Sequence, residues 1–280
     1  MNNDSNITIT SPDKAPGAVG TALTGSAAPG SFSVPVAQWL AGQAAEAYKA
    51  ATCTDKATWA SANVVFDSGH NAVVVAFKGS SEAQDFFQDA KFEMVPLVYQ
   101  GTSFEATAHR GFVEDIQAIT IAVVSQVRGY LHNNPTAKVF ITGHSLGGAL
   151  AILCAFEFSK QSLPVTAVYT FGQPRVGNHF FCFIYDQCPC GSHLLKEVTF
   201  RLVNGNDIVP RLPGKEIGYD DCGHEMFLPT TSNSIQVDPD LFEKALSDGS
   251  GLFQAIAAGR DVLINDHFIA AYQKRIALIP

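Results

Sequence analysis

The stretch "KVFITGHSLGGALA", residues 138–151, decides how this chain is read. Val139 to Thr142 is a short apolar and β-branched run, the pattern of a buried strand. It stops at Gly143. From Leu146 to about Gln161 the spacing turns helical. Ser145 stands at the junction, inside Gly143-His144-Ser145-Leu146-Gly147, which fits G-x-S-x-G. That pattern forces a sharp turn from strand to helix with the serine hydroxyl at its tip. The glycines are small because side chains there would strike the adjoining strand and helix. The amino end of the helix faces the place where negative charge develops during acyl transfer. A plain packing turn would use the same small residues. The strand before it and the helix after it favour a nucleophile turn.

Working outward, "NVVFDS" (63–68) and "NAVVVAFKG" (71–79) read as two strands joined at Gly69 and His70. Residues 36–51 have helical spacing, with Trp39, Leu40, Ala44 and Tyr48 on one side. Residues 111–131 form a long amphipathic helix with the stripe Phe112, Ile116, Ile119, Val123, Val127 and Leu131. "VTAVYTFG" (165–172) and "EVTFRLVNG" (197–205) are two further strands, and a helix starts close to His267. Continuously apolar strands alternating with helices predict an α/β fold with a mostly parallel sheet covered on both faces. Residues 1–34, rich in Ala, Gly, Ser, Pro and Thr, are expected to be extended or poorly ordered. Residues 35–280 are expected to form one domain.

The 280 residues are 46% hydrophobic and 16% charged, which is a globular composition. Net charge is −8 and there is no basic stripe, so nucleic acid is excluded as the main partner. The charge also disfavours anionic membranes, but not neutral lipid. No apolar run is long enough for a transmembrane segment. "MNNDSNITIT" has neither a basic nor an apolar leader region, so no signal peptide is legible.

Of six cysteines, Cys154 lies in the apolar helix and reads as a buried thiol. Cys188, Cys190 and Cys222 sit in polar, loop-like contexts and are the expected bridge members. Cys188, Cys190 and His193, or Asp221, Cys222 and His224, are types that ligate zinc, but their spacing matches no standard zinc signature. No metal is expected.

A nucleophilic serine needs a base, and the base an orienting acid. On a strand-to-helix elbow the chain order is serine, acid, histidine. "TFRLVNGNDIVPRLP" supplies Asp207 just after a late strand, in a loop stiffened by Pro210 and Pro213. As a bare turn residue Asp207 would look the same. Only His224 and His267 follow it. His267, in "LINDHFIAAY", is favoured as the base, with His224 the alternative.

"VFITGHSLGGALA", "TFGQPRVGN", "NDIVPRLP" and "DHF", in this order, resemble the fungal-type class 3 lipases of the α/β-hydrolase fold. The resemblance runs from roughly residue 60 to 275. It implies a serine carboxylic ester hydrolase with Ser145 as nucleophile, Asp207 as acid and His267 as base, and no cofactor. It implies an oxyanion hole from the backbone N–H of Leu146 and from Ser80. The family usually shows Arg-Gly-Ser or Arg-Gly-Thr before that position, and Lys78 departs from it mildly. "AHRGF" (108–112) also resembles the family, with His109 structural.

Residues 81–95 carry Ala83, Phe86, Phe87, Ala90 and Met94 on one face at helical spacing. An ordinary surface helix has the same pattern. The resemblance implies a movable lid over Ser145, with Phe86 where the family has tryptophan and Asp89 bonding Ser80 when open. The implied substrate is an acylglycerol, met by transient contact with a lipid–water interface. A soluble esterase of the feruloyl type and a phospholipase are the alternatives within the fold. A catalytically dead binding module is the alternative outside it. Family habit also implies secretion.

Overall fold

The structure is a computed structural model that describes residues 31–80, 92–97, 105–239 and 265–280, with the backbone of 9–10. Helix α1 (Val34–Glu46) begins at Ser33, whose hydroxyl accepts from the Val36 N–H. Strands β1 (Cys53–Thr54), β2 (Ser61–Asp67) and β3 (Ala72–Phe77) follow. Next come β4 (Met94–Pro96), β5 (Thr107–His109) and α2 (Arg110–Asn133). The centre of the chain is β6 (Lys138–His144), α3 (Leu146–Lys160) and β7 (Ala167–Phe171). After it run β8 (Gly177–Asn178), α4 (His179–Gln187) and β9 (Thr199–Asn204). Strands β10 (Tyr219–Asp220), β11 (His224–Leu228) and β12 (Gln236–Val237) precede α5 (Ile269–Ile276).

Among the described residues the main sheet has the order β12-β11-β9-β7-β6-β3-β2-β1. Strands β3, β6, β7, β9 and β11 are mutually parallel, and the edge pairings are antiparallel. A second, small sheet has the order β10-β8-β5-β4. The parallel strands are buried on both faces, which is why they read as unbroken apolar runs. On one face, α2, α3 and α4 cover Val73, Val75 and Ile141. On the other, α1 and α5 cover Val74, Phe140 and Tyr169. The α2 stripe from Phe112 to Val127 is at most 4% exposed at Phe112, Ile116, Ile119, Val123 and Val127. Each such side chain contributes about 1.5–3 kcal/mol by leaving water. No helix among the described residues is long and apolar enough to cross a membrane.

Two expectations need correction. Met94 does not continue a helix. It lies in β4, paired with His109, and its sulfur accepts from the Thr107 hydroxyl at 3.1 Å. Val95 precedes Pro96, a position pushed toward extended backbone, and the β5 edge offers the pairing. Ala83, Phe86, Phe87, Asp89 and Ala90 lie outside the described residues. The expected bridge members Cys188, Cys190 and Cys222 are not in disulfides, and neither are Cys53, Cys154 and Cys182. Their sequence neighbours are polar, but the sulfurs pack into the apolar cluster beneath α4. Burial pushes the thiols of Cys182, Cys190 and Cys222 above the ordinary value.

Candidate active site

Strand β6 ends beneath Ser145, which holds φ 57° and ψ −130°. For a residue with a Cβ this costs about 1–3 kcal/mol. The surroundings enforce it. A Cβ on Gly143 would overlap the Gly147 carbonyl, and one on Gly147 would overlap the Phe77 carbonyl. The Ser145 N–H donates to the Phe171 carbonyl at 2.9 Å, which ties the turn to β7.

His267 Nε2 lies 2.9 Å from Ser145 Oγ, and His267 Nδ1 lies 2.9 Å from Asp207 Oδ2. The three residues are at most 4% exposed. Asp207 follows β9 in a loop that ends in a 3-10 turn at Val209–Arg211. Its Oδ1 accepts from the Val209 N–H at 3.0 Å. Its Oδ2 also accepts from the Tyr272 hydroxyl at 2.6 Å. The loops of acid and base are tied together by Asp266. Asn204 Nδ2 donates to its carbonyl and the Asn206 N–H to its carboxylate, each at 2.9 Å.

Tyr272 is fully buried, and its oxygen also accepts from the Asn204 N–H at 3.1 Å. Tyr272→Phe leaves that N–H without its partner and loosens the aim of the carboxylate. We expect a loss of about 1–3 kcal/mol in stability. We also expect about tenfold in kcat, near 1.4 kcal/mol of barrier, with KM unmoved. Urea melts and steady-state kinetics on one ester check both. Full turnover in the variant would show that Asp207 needs no third anchor.

A second chain of contacts reaches the base from behind. The Gly79 N–H donates to the Tyr48 oxygen, and the Tyr48 hydroxyl is 2.8 Å from His144 Nδ1. His144 Nε2 meets the His267 carbonyl, so Nε2 carries the proton and Nδ1 accepts from Tyr48. Burial, then the charge of His267, holds the His144 imidazole down at about 3. The ring therefore stays neutral and keeps this tautomer.

Histidine His109 is buried and stacked on Phe112 at 4.2 Å, and burial holds it at about 4. It does not enter the site. His224 pairs with Asp238 at 2.8 Å on β11 and does not reach Ser145. His109 and His144 have folded values below the ordinary 6.5, so the unfolded chain takes up protons that the folded chain refuses. Their stabilisation is present above about 6.5 and is lost as the pH falls toward their folded values. Asp115 opposes them, because burial raises it to about 6 and its contribution grows on acidification. Two histidines against one carboxyl leave a net loss. Tm should fall between pH 6.5 and 4, less steeply in His109→Gln. A flat Tm across that range would contradict it.

Ser80 and Leu146 come together in the wall of one cavity, with Lys78 and Gly79 between the strand end and the turn. Leu146 is the first residue of α3. Behind the acid loop lies a buried charge cluster. Arg201 approaches Asp221 at 2.7 Å and Arg175 approaches it at 3.3 Å, with both arginines at most 2% exposed. Burial alone would raise the Asp221 carboxyl. Arg201 above all, then Arg175, Lys215 and Arg211, hold it well below the carboxylate range. Arg175 Nη1 donates to the carbonyls of Arg211 and Pro213, which fixes the loop after Asp207. Arg211 in turn makes a two-pronged pair with Glu225 on β11.

Sequence reasoning brought Ser145, Asp207 and His267 to one place, but it missed Tyr48, His144, Arg175 and Tyr272. In sequence, Tyr48 is one more apolar position in the helical spacing of residues 36–51. Tyr272 carried a usable signal, since it follows His267 by five residues on the helix that begins just after it.

A family model described as Lipase (class 3) matches residues 74–217. A lipase from Rhizomucor miehei is 31% identical over 183 residues, 63% of this chain and 47% of that protein. A secreted mono- and diacylglycerol lipase from Fusarium solani is 32% identical over 169 residues, 60% of this chain and 47% of that protein. The chain thus spans about half the length of the curated relatives it matches. Among solved structures, a triacylglycerol lipase described as having a serine protease triad as its catalytic centre matches with TM-score 0.64. It is 26% identical, and the match covers 76% of this chain and 89% of that one. The Rhizomucor miehei lipase in complex with its propeptide matches with TM-score 0.63 and 26% identity, covering 73% and 71%.

Proposed function

The chain belongs to the class 3 lipase family, and on that premise we propose that it is a serine carboxylic ester hydrolase that cleaves acylglycerols. Ser145 Oγ attacks the ester carbonyl while His267 Nε2 takes its proton. Asp207 holds the imidazole in the tautomer that accepts at Nε2 and stabilises the imidazolium once formed. The oxyanion is held by the N–H of Leu146 and by the N–H and hydroxyl of Ser80. His267 then protonates the leaving alcohol, and water cleaves the acyl-enzyme by the same base. Residues 35–280 act as one catalytic unit, and no cofactor enters any step.

The observation that carries this proposal is the continuous contact Ser145–His267–Asp207, 2.9 Å at each link, on a strained elbow. Contact with a lipid–water interface is part of the same proposal. The test is hydrolysis of a medium-chain triglyceride across its solubility limit, with Ser145→Ala as blank. A jump in rate as droplets form supports a lipase acting at an interface. A smooth saturating curve supports a soluble esterase. No rate above the blank, on this and on short soluble esters, overturns the proposal.

A further inference from the structure

The working parts of the site come from distant points in the chain. Ser80 follows the end of β3, Ser145 follows the end of β6, and His267 precedes α5. Two side chains that the acyl-transfer steps do not use connect all three places. Tyr48 stands just past the end of α1, and its oxygen accepts from the N–H of Gly79, the residue before Ser80. Its hydroxyl is 2.8 Å from Nδ1 of His144, the residue before Ser145. His144 Nε2 meets the carbonyl of His267 itself.

The proton positions along this line are fixed. A carbonyl only accepts, so His144 Nε2 donates to it. A neutral imidazole then has a bare Nδ1, and the Tyr48 hydroxyl donates there. Burial raises the Tyr48 hydroxyl above its ordinary value, so it keeps its proton. The line therefore runs one way, from the Gly79 N–H through Tyr48 and His144 to the His267 carbonyl. Each donor in such a chain polarises the next. Packing closes the line from the side. A Cβ on Gly79 would overlap both the Tyr48 oxygen and the His144 carbonyl oxygen. Glycine is what lets the Ser80 loop press onto both.

We propose that Tyr48 and His144 are positioning residues for the reaction, a strut that fixes the distance between the oxyanion donors and the base. This rests on the acyl-transfer proposal above. The donors and the base act on one carbonyl carbon at the same moment, so their spacing decides the barrier. A misplacement of about 1 Å costs on the order of 10²-fold in rate. Asp207 and Tyr272 do a different job, since they hold Nδ1 of the imidazole and set its tautomer and tilt. Stability does not call for polar groups here. Two apolar side chains of the same shape would fill the space at little cost. They could not tie Gly79 to His267.

Tyr48→Phe cuts the strut and keeps the ring. On a soluble ester kcat should fall at least about tenfold with KM within about twofold, because spacing matters in the transition state. A second substrate separates this from general loosening. In the thionoester of the same acid and alcohol, sulfur replaces the carbonyl oxygen and accepts hydrogen bonds poorly. The ester-to-thionoester ratio of kcat/KM thus reports the grip of the oxyanion donors. Tyr48→Phe should lower that ratio about fivefold or more. Tyr272→Phe should lower both rates together and leave the ratio where it was. Circular dichroism melts confirm folding of each variant. Wild-type turnover in Tyr48→Phe, or an unmoved ratio, overturns the strut.

A measurement on the unaltered chain needs no turnover. Nitrogen NMR of isotope-labelled histidine should show His144 with Nε2 protonated and Nδ1 bare throughout the range from about pH 5 to 8. Its signal is the one missing from His144→Gln. A ring protonated at Nδ1, or one that titrates in that range, overturns the strut even if Tyr48→Phe does not fold. Failure of the wild type to hydrolyse any ester overturns the acyl-transfer proposal itself. Hydrolysis by the wild type with an unmoved ratio in Tyr48→Phe overturns the strut alone.

Discussion

Ser145→Ala is expected to lower kcat by about 10⁶-fold, with KM changed little. The serine hydroxyl is the only side-chain nucleophile that hydrogen-bonds His267 Nε2 among the described residues. The imidazole, the Asp207 carboxylate and the oxyanion donors all survive the substitution. A residual acceleration of about 10³–10⁴ over water is therefore expected from them. Hydrolysis of a soluble ester at high enzyme concentration, with burst analysis, measures both. A loss below a hundredfold would mean that Ser145 does not attack the ester. The same position carries a stability prediction of opposite sign. Alanine keeps the left-handed strain, whereas Ser145→Gly relieves it and should add about 1 kcal/mol. The serine's conformation is thus unfavourable for folding and is kept in place by the close approach of Gly143 and Gly147 to their neighbours.

Asp221→Ala is expected to be the most damaging single change to stability. Arg201 and Arg175 are both almost fully buried and both face this one carboxylate, with Lys215 at 3.4 Å as a half-exposed third partner. Removing it leaves two guanidinium groups without their counter-charge. Breaking a buried pair in this way costs about 3–5 kcal/mol. For a chain of this size that lowers Tm by roughly 10 °C. Turnover should fall as well, because Arg175 is what holds the carbonyls of Arg211 and Pro213 behind the acid. Guanidinium melts of the variant and the wild type decide the point. A change under 1 kcal/mol would mean that the arginines find other acceptors and that the cluster is not a support.

The sheet was legible because its strands are buried on both faces. Val139–Thr142 and Val73–Phe77 could not alternate with polar residues, and unbroken apolar runs are easy to see. The elbow was legible because close packing at Gly143 and Gly147 admits no Cβ. Asp207 and His267 were reached by chain order and by their loop contexts. What stayed hidden had no local signature. Tyr48 and Tyr272 look like core aromatics until the fold sets one against His144 and the other against Asp207. The cysteines misled for a related reason, since polar neighbours on a short loop say nothing about which way a thiol points. Met94 failed because the helical spacing of residues 81–95 was extended into β4, where a proline and an available sheet edge decide the backbone.

Helix α5 packs against α1 on the face opposite the long helix α2. It delivers Tyr272 to Asp207, just after the turn that delivers His267 to Ser145. The nucleophile, the oxyanion donors and the acid are all encoded before residue 210. In a polypeptide growing from the ribosome the base is therefore made after the acid, later by about 3–12 s for the 60 residues from Asp207 to His267. The triad is complete only when the segment that carries His267 and Tyr272 docks against Asp207. On the proposed function, a product truncated before His267 would carry the nucleophile and the acid without their base.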